Sequence, residues 1–127
     1  MLDFLVVGIG GSIGSCIRFA FSKIANYYSV VFPFGTLMSN IIAGFFIGLI
    51  IGAEQHSIAI SPKTKLFLTT GLLGGLSTFS TFSLETVNFF NQGKLVLAVG
   101  NIVLNLALSL LGVVAGMYIT ELIFVKS

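Results

Sequence analysis

The sequence predicts an all-α integral membrane protein with four transmembrane helices. Only 8% of its residues are charged and 56% are hydrophobic, whereas a soluble domain carries about 25% charged residues. The mean hydropathy is +1.10, which leaves too little polar surface for a soluble enzyme. Since one bilayer-spanning helix needs roughly 20 apolar residues, four spans with short connections account for residues 1–127 as a single membrane domain.

Four apolar runs define the helices in chain order. The joints between them carry prolines, tyrosines and charged residues, which are typical of the headgroup level. The expected helices cover approximately residues 2–24, 34–53, 66–91 and 95–124. Asp3 stands where a signal peptide carries basic residues, so we expect the first run to be retained as helix one.

The basic residues are divided evenly between the two sides of this topology. One side holds Lys63, Lys65 and Lys126, and the other holds Arg18, Lys23 and Lys94. Orientation normally follows an excess of bases on the cytoplasmic side. The balance therefore leaves two interpretations: one fixed topology with a weak bias, or insertion in both orientations to form an antiparallel dual-topology homodimer. Because the bases are scattered, nucleic-acid binding is not supported.

Small residues line one face of each of the first two helices. In helix one this face ends in Arg18, whose side chain either extends to the headgroups or gives a pore mouth a positive potential. In helix two the face begins with Thr36 and Asn40 and continues as GxxxG steps, which favour close packing. The Asn40 amide either bonds another helix or donates to a passing anion.

The third run is a poor continuous helix. Gly74 and Gly75 are followed by five hydroxyl residues between positions 77 and 83. Each glycine costs a helix roughly 1 kcal/mol relative to alanine. We therefore expect a break at mid-membrane, where freed carbonyls favour a bound cation. A packing kink is the alternative.

Beyond the break, a polar face that includes Thr81 and Glu85 adjoins an aromatic face. Phe79 and Phe82 lie one turn apart, and their electropositive ring edges can face an anion. Phenylalanines at this spacing also occur in cores and against lipid. Glu85 is unusual beside an anion path, so capping or gating near the mouth, pairing with a lysine and an interfacial position all remain open.

Helix four carries amides and a hydroxyl on one face, at Asn101, Asn105 and Ser109. Together with helices two and three it supplies neutral hydrogen-bond donors, which suit an anion. The sequence shows no nucleophile beside a base, no zinc-type cluster and no phosphate loop. It therefore predicts that the protein is not an enzyme.

Three segments resemble a known family: GGSIGSCIR (residues 10–18), GTLMSNIIAGFFIG (35–48) and GGLSTFSTFSLE (74–85). They look like the bacterial fluoride channel family (Fluc/CrcB), although Ser77 stands where that family usually has threonine. The resemblance implies an antiparallel homodimer in the plasma membrane with two pores. It also implies passive, selective export of fluoride, which protects the cell.

The resemblance further implies roles for particular residues. Fluoride would meet the ring edges of Phe79 and Phe82. Asn40 and Ser109 would supply hydrogen-bonding groups, with Asn105 as the alternative to Ser109. The other positions implied along the pathway are Ser80, Thr81, Arg18 and Glu85.

A central sodium ion is implied as well, held by the main-chain carbonyls of Gly74 and Ser77 from both subunits. Because a carbonyl is the ligand, serine at position 77 would serve as well as threonine. The remaining contacts of the protein would be with membrane lipid.

Two other functions remain open. A small dual-topology multidrug or cation exporter also uses about four helices, but such families resemble one another in having a carboxylate deep in helix one, where this chain has only Asp3 at the start. A noncatalytic membrane interaction protein would use the glycine seams for partner helices and leave the polar faces without a role.

Overall fold

Three long helices form most of the protein. The computed structural model describes residues 1–28 and 31–125; Lys126, which enters the charge balance above, lies outside them. Helix α1 covers Leu2–Tyr27, α2 covers Phe34–Gln55 and α6 covers Leu95–Val125. Within the described residues, these three helices are long and apolar enough to cross a membrane. Helices α1 and α2 continue past the expected ends at 24 and 53.

The third predicted span consists of four successive helical pieces. They are α3 (Pro62–Leu66), a π-helical segment (Phe67–Leu73), α4 (Gly74–Leu76) and α5 (Phe79–Asn91). Its expected start at residue 66 is wrong. The helix begins at Pro62 because proline suits the first helical turn and the Ser61 side chain accepts a hydrogen bond from the N–H of Thr64.

The predicted break in this span is confirmed, and it lies between α4 and α5. Ser77 has φ −73° and ψ 153°, and Thr78 has φ −153° and ψ 119°. Both residues are therefore extended, so the helical hydrogen-bond ladder is interrupted rather than bent. The π-helical segment just before the break was not predicted.

Close backbone contacts at the predicted glycine seams hold the helices together. A Cβ added to Gly44 would lie 2.8 Å from the carbonyl oxygen of Ser109. A Cβ added to Gly112 would lie 3.0 Å from the carbonyl oxygen of Ile41. Helices α2 and α6 thus approach as closely as small residues permit, and α1 packs against the π-helical segment in the same way through Gly10.

The joint between α2 and α3 is more ordered than a fully solvated connection. The Lys65 Nζ and Glu54 Oε2 atoms are 2.7 Å apart and form an ion pair. The ring of His56 lies 5.8 Å from that of Phe124, centroid to centroid. Glu54 and His56 therefore both make contacts between helix ends.

We expect Gly10→Ala to destabilise the protein and Gly8→Ala not to. A Cβ at Gly10 would lie 2.7 Å from the carbonyl oxygen of Phe67, whereas a Cβ at Gly8 meets nothing within 4 Å. Overpacking of this kind costs about 1–3 kcal/mol, while alanine in an open helix position gains up to roughly 1 kcal/mol. Equilibrium unfolding in detergent measures both variants, and equal stability would contradict the packing described.

Candidate functional site

The side chain of Asn40 is bound to the peptide groups at the break. The N–H of Thr78 donates to Asn40 Oδ1 at 2.7 Å, and Asn40 Nδ2 donates back to the carbonyl of Thr78 at 3.3 Å. Unpaired peptide groups are costly in hydrocarbon, and here an amide from α2 replaces the lost helical bonds. Of the two roles that the sequence left open for Asn40, the structure contains the interhelical hydrogen bond.

A chain of hydrogen bonds continues from Asn40 through α6 and returns to α5. We call these four side chains, Asn40, Asn105, Asn101 and Thr86, the amide relay. Asn40 Nδ2 donates to Asn105 Oδ1 at 2.9 Å, and Asn105 Nδ2 donates to Asn101 Oδ1 at 2.9 Å. Asn101 Nδ2 donates to Thr86 Oγ1 at 3.0 Å, and that hydroxyl donates to the Phe82 carbonyl at 2.8 Å.

A cavity of about 340 Å³ lies beside the break, between α2, α5 and α6. It brings together the predicted residues Asn40, Phe79, Phe82 and Ser109, and it also includes Asn105. The two phenylalanine rings are 5.3 Å apart with an angle of 58° between their planes. Phe82 is 7% exposed and Phe79 73% exposed, so the cavity is open on the side of Phe79.

Ser109 and Asn105 differ in the hydrogen-bonding capacity they offer this cavity. The Ser109 hydroxyl is buried and has no hydrogen-bond partner among the described residues. The Asn105 amide is engaged at both ends, with its oxygen bound by Asn40 and its nitrogen donating to Asn101. A hydroxyl always carries a proton to donate, so Ser109 supplies the spare donor and Asn105 supports Asn40.

The positions Arg18, Ser80 and Thr81 lie outside this cavity, in a second polar cluster between α1 and the start of α5. Arg18 Nε donates to the Gly75 carbonyl at 3.2 Å, and its Nη1 donates to Thr81 Oγ1 at 3.5 Å. The hydroxyls of Thr78 and Ser80 are 3.3 Å apart. Arg18 thus reaches across to the break. Its charge adds to the positive end of the α5 dipole.

Glu85 occupies a third position, against α2. The buried Thr36 hydroxyl donates to Glu85 Oε1 at 2.6 Å. The other carboxyl oxygen, Oε2, is buried without a hydrogen-bond partner among the described residues. Of the arrangements considered for Glu85, pairing with a lysine is therefore wrong for the part of the chain that the structure describes, since its partner is a hydroxyl.

The carbonyl groups at the break fit a cation. In residues 1–28 and 31–125, neither the Gly74 nor the Ser77 carbonyl accepts a hydrogen bond outside regular helix. The neighbouring Gly75 carbonyl differs, because Arg18 and Ser15 donate to it at 3.2 and 3.5 Å. Free carbonyl oxygens are suitable ligands for a hard cation, and Gly74 is exposed on the surface of the single subunit.

Comparison with known proteins identifies the family. The family model described as CrcB-like protein, Camphor Resistance (CrcB), matches residues 5–117. The chain belongs to the CrcB family. Relatives named fluoride-specific ion channel FluC come from Clostridium perfringens (45% identical, covering 98% of each chain) and Clostridium novyi (43% identical, covering 94% of each). A third, from Paraburkholderia phymatum, is 44% identical over 91% of each chain.

This CrcB-family protein is a multi-pass membrane protein and not an enzyme. The sequence pattern does not predict the role of Thr86, which is buried and joins the amide relay to the Phe82 carbonyl. It predicts the face of α6 on which Asn101 lies but no role for that residue. The available signal was the four-residue spacing of Asn101 and Asn105, which places two amides in contact on one helix face.

We expect opposite effects on stability from two substitutions in the cavity wall. Asn40→Leu leaves the N–H of Thr78 without an acceptor, and a buried unsatisfied donor costs about 1–3 kcal/mol. Ser109→Ala removes a hydroxyl that has no partner, so stability should stay the same or rise. Unfolding in detergent compares the two. A destabilised Ser109→Ala together with an unaffected Asn40→Leu would contradict these hydrogen-bond assignments.

Proposed function

We propose that this chain is the subunit of a fluoride channel that exports fluoride passively and so protects the cell. The printed names of its relatives support this, and so does their high identity over nearly the whole chain. The observation that carries the proposal is the cavity beside the break. It combines a spare buried hydroxyl at Ser109 with the rings of Phe79 and Phe82, and none of its lining residues is charged.

The chemistry of this cavity suits a small anion that has lost its water. Fluoride gives up its hydration only where other donors replace it. The Ser109 hydroxyl is one such donor, and the ring edges of Phe79 and Phe82 are electropositive. Asn40 can exchange one hydrogen-bond acceptor for another. The 3.3 Å bond from its Nδ2 atom to the Thr78 carbonyl is long and weak, so fluoride replaces that carbonyl as the acceptor.

No energy coupling is needed for export. A potential that is negative inside drives an anion outward with about 2.3 kcal/mol per 100 mV. Arg18 and the positive end of α5 attract anions toward the break, and the hydroxyls of Ser80 and Thr81 extend the polar surface. Glu85, which accepts a hydrogen bond from Thr36, lies beside this route.

Two such subunits in antiparallel orientation complete the pathway in the plasma membrane, each crossing it four times. Support comes from the even distribution of basic residues and from the exposure of Phe79 on the open side of the cavity. A ring that is 73% exposed in the single subunit gains its surroundings from a second copy. The four pieces between Pro62 and Asn91 then form one span.

A sodium ion at the centre of the dimer would be held by the carbonyls of Gly74 and Ser77 from each subunit. When bound, the ion neutralises the carbonyl dipoles that the break exposes. The polypeptide would contribute by leaving these carbonyl oxygens available to the ion. Arg18 and Ser15 occupy the carbonyl of Gly75 instead, which separates the anion-attracting cluster from the proposed cation ligands.

Fluoride efflux from liposomes tests the proposed function. We expect purified protein to release fluoride rapidly when valinomycin allows potassium to follow, and to leave chloride largely retained. Replacing Phe82 by isoleucine removes a ring edge while keeping an apolar side chain. Its efflux should fall at least tenfold. Phe90→Ile is the matched control, because Phe90 is 45% exposed and outside the cavity.

Two results would contradict this proposal. Release by the unaltered protein no faster than from empty liposomes would exclude a channel. Full conduction by Phe82→Ile, with the dimer intact, would show that the ring edge does not contact the ion.

The proposed topology has its own test. A cysteine tag placed after residue 127 should react with a membrane-impermeant reagent from both sides of the cell membrane, in about equal amounts. Adding two lysines beside Lys63 should shift the population toward one orientation, because bases favour the cytoplasmic side. Labelling from one side alone in the unaltered protein would contradict dual topology.

A further inference from the structure

The amide relay has a direction that its two ends determine. It starts at the backbone N–H of Thr78, which can only donate, and finishes at the backbone carbonyl of Phe82, which can only accept. The Thr86 hydroxyl has one proton and uses it on that carbonyl. It must therefore accept from Asn101, whose amide nitrogen then faces Thr86 and whose oxygen faces Asn105.

The requirement that each donor face an acceptor also determines the orientation of the side chains between Asn101 and the cavity. Since the oxygen of Asn101 faces Asn105, the nitrogen of Asn105 must point toward it, and the oxygen of Asn105 is left for Asn40. Asn40 must then present its nitrogen to α6 and its oxygen to Thr78. The positions of nitrogen and oxygen in each amide are the same whether they are assigned from the Thr78 end or from the Phe82 end. Every side chain in the relay therefore has one orientation.

This direction decides which charge the cavity favours. If Asn40 turned over, it would present its carbonyl oxygen in place of its N–H groups, and a carbonyl oxygen repels an anion. Asn101 is 0% exposed and Asn105 is 3% exposed, so the link between these two side chains is shielded from bulk water. In a buried network of low dielectric, each bond also polarises the next.

We infer that Asn101 is a positioning residue for anion selection, acting through Asn105 and the amide relay without contacting the ion. Asn101 does not line the cavity, whereas Asn105 and Asn40 do. The inference rests on the proposed fluoride channel function and names a residue that determines its specificity. Without the Asn101 side chain, Asn105 Nδ2 keeps its 3.1 Å bond to the Asn101 main-chain carbonyl but loses its 2.9 Å bond to Oδ1. Asn40 keeps its pair with Thr78, but the Asn105 oxygen that accepts from Asn40 is held less firmly beside Ser109.

The test measures fluoride efflux against fluoride concentration in liposomes containing the intact dimer. Asn101→Leu removes the side-chain links to Asn105 and Thr86, and Thr86→Val removes the links to Asn101 and to the Phe82 carbonyl, both with little change in volume. We expect the half-saturating fluoride concentration to rise about tenfold in both, the factor that corresponds to one neutral hydrogen bond. A loss of folded protein would lower the maximal rate alone, so the two effects are separable.

Two further variants serve as controls. Thr86→Ser keeps the hydroxyl and should retain the half-saturating concentration of the unaltered protein. Thr120→Val removes a buried hydroxyl of α6 whose hydrogen bonds, in the part of the chain that the structure describes, stay within that helix. It should also leave the half-saturating concentration unchanged. If Asn101→Leu does not yield a folded dimer, Thr86→Val decides the question.

The outcomes separate this inference from the proposed function. Unchanged half-saturation in Asn101→Leu and Thr86→Val, with an active unaltered protein, would overturn the inference and leave the channel standing. An equal rise in Thr120→Val would also overturn it, because a general packing effect would then explain the change. An unaltered protein that does not conduct fluoride would remove the proposed function itself.

Discussion

The structure depends on one constraint: peptide groups released by a broken helix must find partners where water is absent. The break between α4 and α5 frees an N–H and several carbonyls in an apolar setting. Asn40 pairs with both peptide groups of Thr78, and Arg18 takes the carbonyl of Gly75. Among residues 1–28 and 31–125, the carbonyls of Gly74 and Ser77 accept no hydrogen bond outside regular helix. The break therefore has two different sides. The side with hydrogen-bond donors suits an anion, and the side with carbonyl oxygens suits a cation.

The close packing of α2 and α6 is what brings Asn40 within hydrogen-bond distance of Asn105. A short amide side chain reaches across only where backbones approach closely, and the glycines of both helices allow that approach. The same packing places Ser109 at the cavity wall with its hydroxyl buried and unused. A buried donor without a partner is costly in a membrane, and a dehydrated anion would satisfy it.

Several of these features could be predicted from the sequence. Apolar runs predict the long helices, and paired glycines before a group of hydroxyls predict the break. Helical spacing predicts a polar face on each helix, and the family resemblance implies that Asn40, Phe82 and Ser109 lie along one pathway. Other features depend on tertiary structure. The pairing of Asn40 with Thr78 depends on how the break lies against α2. The chain of bonds through Asn101 depends on how far α2 and α6 slide along each other. Periodicity determines neither. Nothing local predicts the π-helical segment.

The central claim is that neutral donors beside the break bind a dehydrated anion. A crystal structure of the dimer grown in sodium fluoride tests it most directly. The account predicts a fluoride ion within hydrogen-bond distance of the Ser109 hydroxyl, facing the edge of the Phe82 ring. A cavity filled by lipid or by the partner's side chains, with no ion beside Ser109, would contradict it.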